Sequence, residues 1–205
     1  MKNKNPLFYS IVKGIARVIF TVAIPMKVKG KENIPEGKFV LCSNHLTWLD
    51  PVLLALSNKR QVCFMGKAEL FKNKIIAAFL KGLGAFPVNR GAGDRSALEK
   101  ANEVLESGKI LGIFIEGTRS KTGELLKPKP GAVMLAYGAK APILPVCITP
   151  KGGGQIKLFK AVKVTYGKPI YPEELGIEEG KSSEIRNATR EVMDKITAIR
   201  EKDLL

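Results

Sequence analysis

The chain contains a single histidine, His45, in the run Ser43-Asn44-His45-Leu46-Thr47-Trp48-Leu49-Asp50. An imidazole is the usual general base near neutral pH, and it works best when a carboxylate fixes its tautomer and stabilises the imidazolium. Asp50 is the candidate for that second part. Residues five apart on one ideal helix do not face each other, so a His45–Asp50 pair needs a turn between them. Pro51 favours such a turn by biasing Asp50 away from the helical region. Asp before Pro is also a common helix start, so Asp50 is expected to cap a helix over 51–57, with one oxygen left for the imidazole.

Two further loops place an arginine after an apolar run: Phe86-Pro87-Val88-Asn89-Arg90-Gly91 and Phe114-Ile115-Glu116-Gly117-Thr118-Arg119-Ser120. Guanidinium groups suit bidentate recognition of phosphate, and a glycine beside them lets backbone approach a ligand. Taken singly, Arg90 or Arg119 reads as a solvated surface arginine. Both in strand-end loops, with His45 in a third, point to one shared site. No Cys-x-x-Cys pair or His-Glu-x-x-His run occurs, and Cys42, Cys63 and Cys147 sit far apart in apolar runs, so neither a metal site nor a disulfide framework is expected.

The elements that must carry these loops follow from periodicity. Short apolar runs at 39–43, 61–65, 84–88, 110–115, 143–148 and 162–166 read as buried strands, and helical patterns fall at 51–57, 72–80, 95–107, 132–138 and 183–202. Ser96 with Glu99 resembles a capping box. Strands alternating with helices imply a single α/β domain with a mixed, mostly parallel sheet flanked by helices. Loops beyond the carboxyl ends of such strands are where α/β sheets hold their sites. A chain of 205 residues fits one such core, assigned to 31–205, preceded by a helical segment over 1–30.

That leading segment carries much of the charge. The formal net charge is +15; residues 1–31 hold seven Lys or Arg and no acid, while 173–205 are net negative. The stretch 6–25 would make a helix ~30 Å long, enough to cross a bilayer. However, Lys13 and Arg17 near its centre each cost roughly 2.5–3.5 kcal/mol there. With Ser10, Gly14 and Thr21 they form one narrow polar stripe, as in an amphipathic helix lying in the membrane interface with its cations at the headgroups. Packing on the protein's own core explains the pattern equally well. The charge also raises the possibility of a non-enzymatic binder of nucleic acid or anionic lipid. Against nucleic acid, only 7% of residues are aromatic and no groove-reading basic helix or zinc-finger pattern appears.

Four blocks, Asn44–Asp50, Phe86–Gly91, Phe114–Ser120 and Pro142–Val146, occur in order at a spacing that resembles the glycerolipid acyltransferase family, and within it the bacterial 1-acylglycerol-3-phosphate (lysophosphatidate) acyltransferases. The resemblance implies transfer of a fatty acyl group from a thioester, on coenzyme A or acyl carrier protein, to the 2-hydroxyl of lysophosphatidate, giving phosphatidate for phospholipid biosynthesis. It implies that His45 takes the hydroxyl proton while Asp50 holds the imidazole. Arg90, Glu116, Gly117, Thr118 and Arg119 would surround the glycerophosphate, with Glu116 bonding a glycerol hydroxyl or ordering the arginines, and Lys67 a further phosphate contact. No cofactor beyond the thioester co-substrate is expected. Expected partners are an anionic phospholipid surface, lysophosphatidate and the acyl donor, with no nucleic acid, at the cytoplasmic face of the cell membrane as a monotopic or peripheral protein. Glycerol 3-phosphate or another lysolipid stands as the alternative acceptor.

Overall fold

The computed structural model describes residues 6–88 and 95–205. In chain order the elements are α1 (Pro6–Ala23), β1 (Met26–Lys29), β2 (Phe39–Ser43), α2 (Asp50–Ser57), β3 (Val62–Lys67), α3 (Lys74–Gly82), β4 (Phe86–Val88), α4 (Arg95–Glu106), β5 (Ile110–Phe114), α5 (Gly131–Gly138), β6 (Ile143–Pro150), β7 (Val162–Tyr166) and α6 (Ser182–Leu204). The strands form one seven-stranded sheet in the order β1-β7-β6-β2-β5-β3-β4. The pairs β6–β2, β2–β5, β5–β3 and β3–β4 are parallel, β7 runs antiparallel to β6, and β1 is parallel to β7. The expected mixed, mostly parallel sheet is therefore present.

The sequence pattern accounts for the layers. β2 and β6 are buried at every residue, as strands covered by helices on both faces must be, and so they read as unbroken apolar runs. Alternate residues serve opposite cores. Val40 and Cys42 face a core built with α4, α5 and α6, whereas Phe39 and Leu41 face one with Leu53 and Leu54 of α2 and Ile24 beyond α1. β7 alternates buried and half-buried residues, and β1 alternates half-buried and exposed ones at the sheet edge. β1 is absent from the sequence reading: four residues, Met-Lys-Val-Lys, carry too short an alternation to separate from the basic segment around them. Its strand lies before the boundary expected at residues 30–31 yet belongs to the sheet.

One helix start and one expected cap differ from expectation. α3 begins at Lys74, where the Asn73 side chain accepts from the amides of Ile75 and Ile76. α4 already includes Arg95, which places Ser96 inside the helix instead of at a capping position. α1 is a helix as expected, and among the described residues no helix is long and apolar enough to cross a membrane. Ser10, Gly14, Arg17 and Thr21 of its polar stripe are exposed, but the Lys13 and Arg17 head groups reach α2, which corrects their placement at lipid headgroups. The Lys13 ammonium donates to the Asn58 carbonyl at 2.5 Å, and the Arg17 guanidinium donates to the Leu56 carbonyl at 3.2 Å. Both cations sit at the C-terminal end of α2, where unsatisfied carbonyls and the helix dipole attract positive charge. Burial, and then repulsion from Arg17, pulls the Lys13 pKa down.

Candidate active site

His45 follows β2 directly, and its neighbours fix it on every side. Asn44 pins the strand exit: its side-chain amide accepts from the Ile148 N–H at 2.8 Å and donates to the Ile148 carbonyl at 3.0 Å, reproducing a backbone pairing with β6. The His45 N–H donates to Glu116 Oε1 at 2.9 Å, and its carbonyl accepts from the Ser120 N–H at 2.8 Å, so both main-chain groups are held by the loop after β5. Above the ring lies Phe114, stacked with centroids 3.9 Å apart and planes 11° from parallel. Gly112 makes that possible on its own face of β5. A Cβ there would stand 2.3 Å from the ring of Phe64, which in turn stacks on Phe114 with centroids 5.8 Å apart.

The expected pair is formed: His45 Nδ1 and Asp50 Oδ2 are 2.7 Å apart. The same oxygen accepts from the amides of Leu46 at 2.6 Å and Thr47 at 2.8 Å, and Oδ1 accepts from the Thr47 hydroxyl at 3.1 Å. The turn that joins the two residues is thus organised around the carboxylate. Here the expectation of an N-cap is corrected. Asp50 is already the first residue of α2, the cap position is Leu49, and the carboxylate reaches back to upstream amides instead of to the helix's own. Asp50 is fully buried and His45 is 7% exposed. With Nδ1 committed to Asp50, Nε2 is the nitrogen left for a substrate hydroxyl, and among the described residues it has no hydrogen-bond partner.

The other expected residues separate into two groups. Glu116 is 1% exposed, and its second oxygen accepts from the Leu126 N–H at 3.0 Å, so the carboxylate fastens the loop over 117–130 to the backbone of His45. Burial raises its pKa, and the two backbone N–H bonds oppose that rise. In this structure both carboxylate oxygens are engaged by backbone amides of the site. Gly117 takes the left-handed φ of +68° that its turn requires. Thr118 and Arg119 are exposed beyond it, and among the described residues the Arg119 guanidinium has no ion pair or hydrogen bond. Lys67 ends β3 in register with Val88, the last residue of β4, and its ammonium lies 3.1 Å from Glu69. Arg90 lies outside the described residues. Cys42 is not a competing nucleophile, because burial pushes its thiol far up.

His45, Glu116–Arg119 and Lys67 thus share the carboxyl-end edge of the parallel strands β2, β5 and β3. The sequence reading did not assign Asn44 or Phe114 a part in the site. Their signal, adjacency to the strand ends that carry His45 and Glu116, is visible only once β5 and β6 are known to flank β2.

Such a site fits a buried base activating a hydroxyl next to cationic loops. Residues 25–149 match the acyltransferase family. The chain is 36% identical over 167 residues to the 1-acyl-sn-glycerol-3-phosphate acyltransferase of Bacillus subtilis, covering 80% of this chain and 82% of that protein. A second relative, the enzyme of the same name from Streptococcus pneumoniae, is 31% identical over 80% of this chain and 63% of its own length. The crystal structure of the 1-acyl-sn-glycerophosphate acyltransferase from Thermotoga maritima superposes with a TM-score of 0.74 at 26% identity, covering 95% of this chain and 78% of that one. Family and fold coincide, and the chain belongs to the acyltransferase family.

Proposed function

We propose that the protein is a 1-acylglycerol-3-phosphate O-acyltransferase, moving a fatty acyl group from a coenzyme A or acyl carrier protein thioester to the 2-hydroxyl of lysophosphatidate and forming phosphatidate. The observation that carries this is the buried His45–Asp50 pair, with Nε2 unpartnered and the unpaired Arg119 in the adjoining loop; the names of the two sequence relatives and the structural neighbour support the acceptor. Nε2 takes the proton as the hydroxyl oxygen bonds to the thioester carbonyl carbon. Asp50 stabilises the imidazolium that results. When the tetrahedral intermediate collapses, the carbon–sulfur bond breaks and the imidazolium returns its proton to the departing thiolate. No cofactor enters these steps. Arg119, with Arg90 and Lys67, supplies positive charge for the acceptor's phosphate.

The chain also offers a surface for the bilayer in which such an acceptor resides. With the Lys13 and Arg17 head groups bonded to α2 carbonyls, α1 presents Leu7, Ile11, Ile15, Val18, Ile19 and Val22 outward, all exposed. Phe8 of α1 meets Phe79 of α3 with centroids 6.0 Å apart, and α3 adds exposed Ile75 and Ile76. A contiguous apolar face of this kind marks an interaction site, and on a chain of net charge +15 it suits the interface of an anionic bilayer, at its cytoplasmic face, in phospholipid biosynthesis. One experiment tests the chemistry: labelled acyl-CoA and acyl carrier protein thioesters are supplied separately with lysophosphatidate or glycerol 3-phosphate. Phosphatidate formation by the wild type and its loss in His45→Ala are expected; equal turnover in the variant would overturn the assignment of the base.

A further inference from the structure

The segment between β6 and β7 lies at the same end of the sheet as His45, since β6 runs parallel to β2. It is built into two structures at once. At one end the Gln155 amide donates to the Ser120 carbonyl at 2.8 Å, and Ser120 is the residue whose N–H holds the His45 carbonyl. Gly154 backbone packs so closely there that a Cβ on Gly123 of the site loop would stand 2.3 Å from it. At the other end the Phe159 N–H donates to the Ala23 carbonyl at 2.7 Å, at the last residue of α1, and Ile156 packs on the core alongside Phe20 and Ala23.

Between these anchors the loop turns two large apolar side chains outward. Leu158 is 62% exposed and Phe159 71% exposed. Phe159 also has φ +62°, the left-handed region in which a bulky side chain is an outlier. Neither burial nor backbone preference accounts for a phenylalanine there. Lys157 and Lys160 flank the pair, and residues 151–172 contain five lysines and no acid. The tip continues the outward apolar row of α1, which ends in Val18, Ile19 and Val22, past the end of that helix.

We propose that the β6–β7 loop is a second insertion point into an anionic phospholipid surface: Leu158 and Phe159 enter the acyl boundary, Lys157 and Lys160 meet the headgroup phosphates, and the loop holds the mouth of the site against lipid. Charge selects this occupant, because apolar tips flanked by lysines that have no ion pair among the described residues match an anionic bilayer and oppose a second copy of the same basic loop. The inference rests on the membrane reading of α1, and the test separates the two. Phe159→Cys and, separately, Val18→Cys in the full chain are labelled with an environment-sensitive fluorophore; Cys42, Cys63 and Cys147 are buried, so the introduced thiol is the one that reacts.

With phosphatidylglycerol vesicles both labels are expected to shift to the blue. Lys157→Gln with Lys160→Gln should then lower the vesicle partition coefficient roughly 30-fold, at the usual contribution per lysine near such a surface. Leu158→Gln with Phe159→Gln should lower turnover of bilayer-embedded lysophosphatidate about tenfold while leaving that of a short-chain, water-soluble acceptor unchanged. A shift at position 18 without one at 159 would overturn the loop proposal and leave the membrane reading of α1 standing. No shift at either position would overturn both. A concentration-dependent shift at 159 without lipid would assign the tip to a second copy, and equal loss of turnover on both acceptors would assign Leu158 and Phe159 a folding role; each overturns the proposal.

Discussion

At His45 the division of labour among atoms predicts which variants separate catalysis from folding. Nε2 has no structural bond, so His45→Ala removes the base and the Phe114 stacking partner while Asp50 still accepts from Leu46 and Thr47. Acyl transfer should fall by about 10²–10⁴, with a far-ultraviolet spectrum near wild type and a urea midpoint lowered by the lost Nδ1 bond and ring stacking. Asp50→Asn should lose a similar factor in kcat and also some stability, because an amide cannot accept from the imidazole, Leu46 and Thr47 as the carboxylate does. Glu116 gives a pH prediction. Burial raises its pKa above the ordinary 4.5, so the folded chain binds a proton over a pH range in which the unfolded chain has released it. The stability this group confers is present below 4.5 and is lost as pH rises through the raised value. Urea midpoints measured from acid to neutral pH should show that fall in the wild type relative to Glu116→Gln, which has no such proton to lose. The sequence made the His45–Asp50 pair legible because both residues lie within one turn. The function of Glu116 was not legible, because its partners are backbone amides at positions 45 and 126, and no residue type announces a backbone partner.

Elements transmit the site's geometry through positions with no chemistry of their own. Gly112→Ala puts a methyl into the Phe64 ring, and the aromatic tier from Phe64 through Phe114 to His45 must then shift. Overpacking of this kind costs about 1–3 kcal/mol, and activity should fall further than that loss alone explains, which parallel urea titrations and rate measurements would reveal. On the same side of the sheet, Arg17→Ala uncaps the C-terminal end of α2, whose first residue is Asp50. A loss of about 0.3–2 kcal/mol is expected from the vacated helix terminus, read from the same titration, with kcat falling if α2 rotates. Element placement was largely legible because fully buried strands write unbroken apolar runs. What escaped was β1, at four residues, and the carbonyl partners of Lys13 and Arg17 on α2. A stripe containing Lys13 and Arg17 looks the same in sequence whether water, headgroups or helix carbonyls face it, and only the position of α2 decides.

For the molecule as a whole, the net charge of +15 makes salt the sharpest lever on the membrane reading. Seven basic residues and no acid lie in residues 1–31, and five lysines and no acid in 151–172, the two segments that carry α1 and the β6–β7 loop. Two of the first group, Lys13 and Arg17, are already held by α2 carbonyls and are not available to lipid phosphates. Lys29 and Lys163 are likewise engaged by Asp203, and attraction between the remaining cations and lipid is screened over a length that shrinks from about 10 Å at 0.1 M salt to about 3 Å at 1 M. Apolar contact is not screened in this way. Sedimentation with phosphatidylglycerol vesicles should therefore weaken steeply as salt rises but stop short of zero, leaving a residual set by the outward face of α1 with Leu158 and Phe159. That residual should match the binding seen on uncharged phosphatidylcholine vesicles at low salt. Polar substitution at Ile15 and Val18 should remove it while leaving the salt-dependent part in place, whereas deleting residues 1–25 would also strip Ile24 and Phe20 from the core and confound binding with unfolding. If high salt released the wild type completely, the apolar face would contribute nothing to adhesion, and the positive surface alone would account for any attraction to lipid.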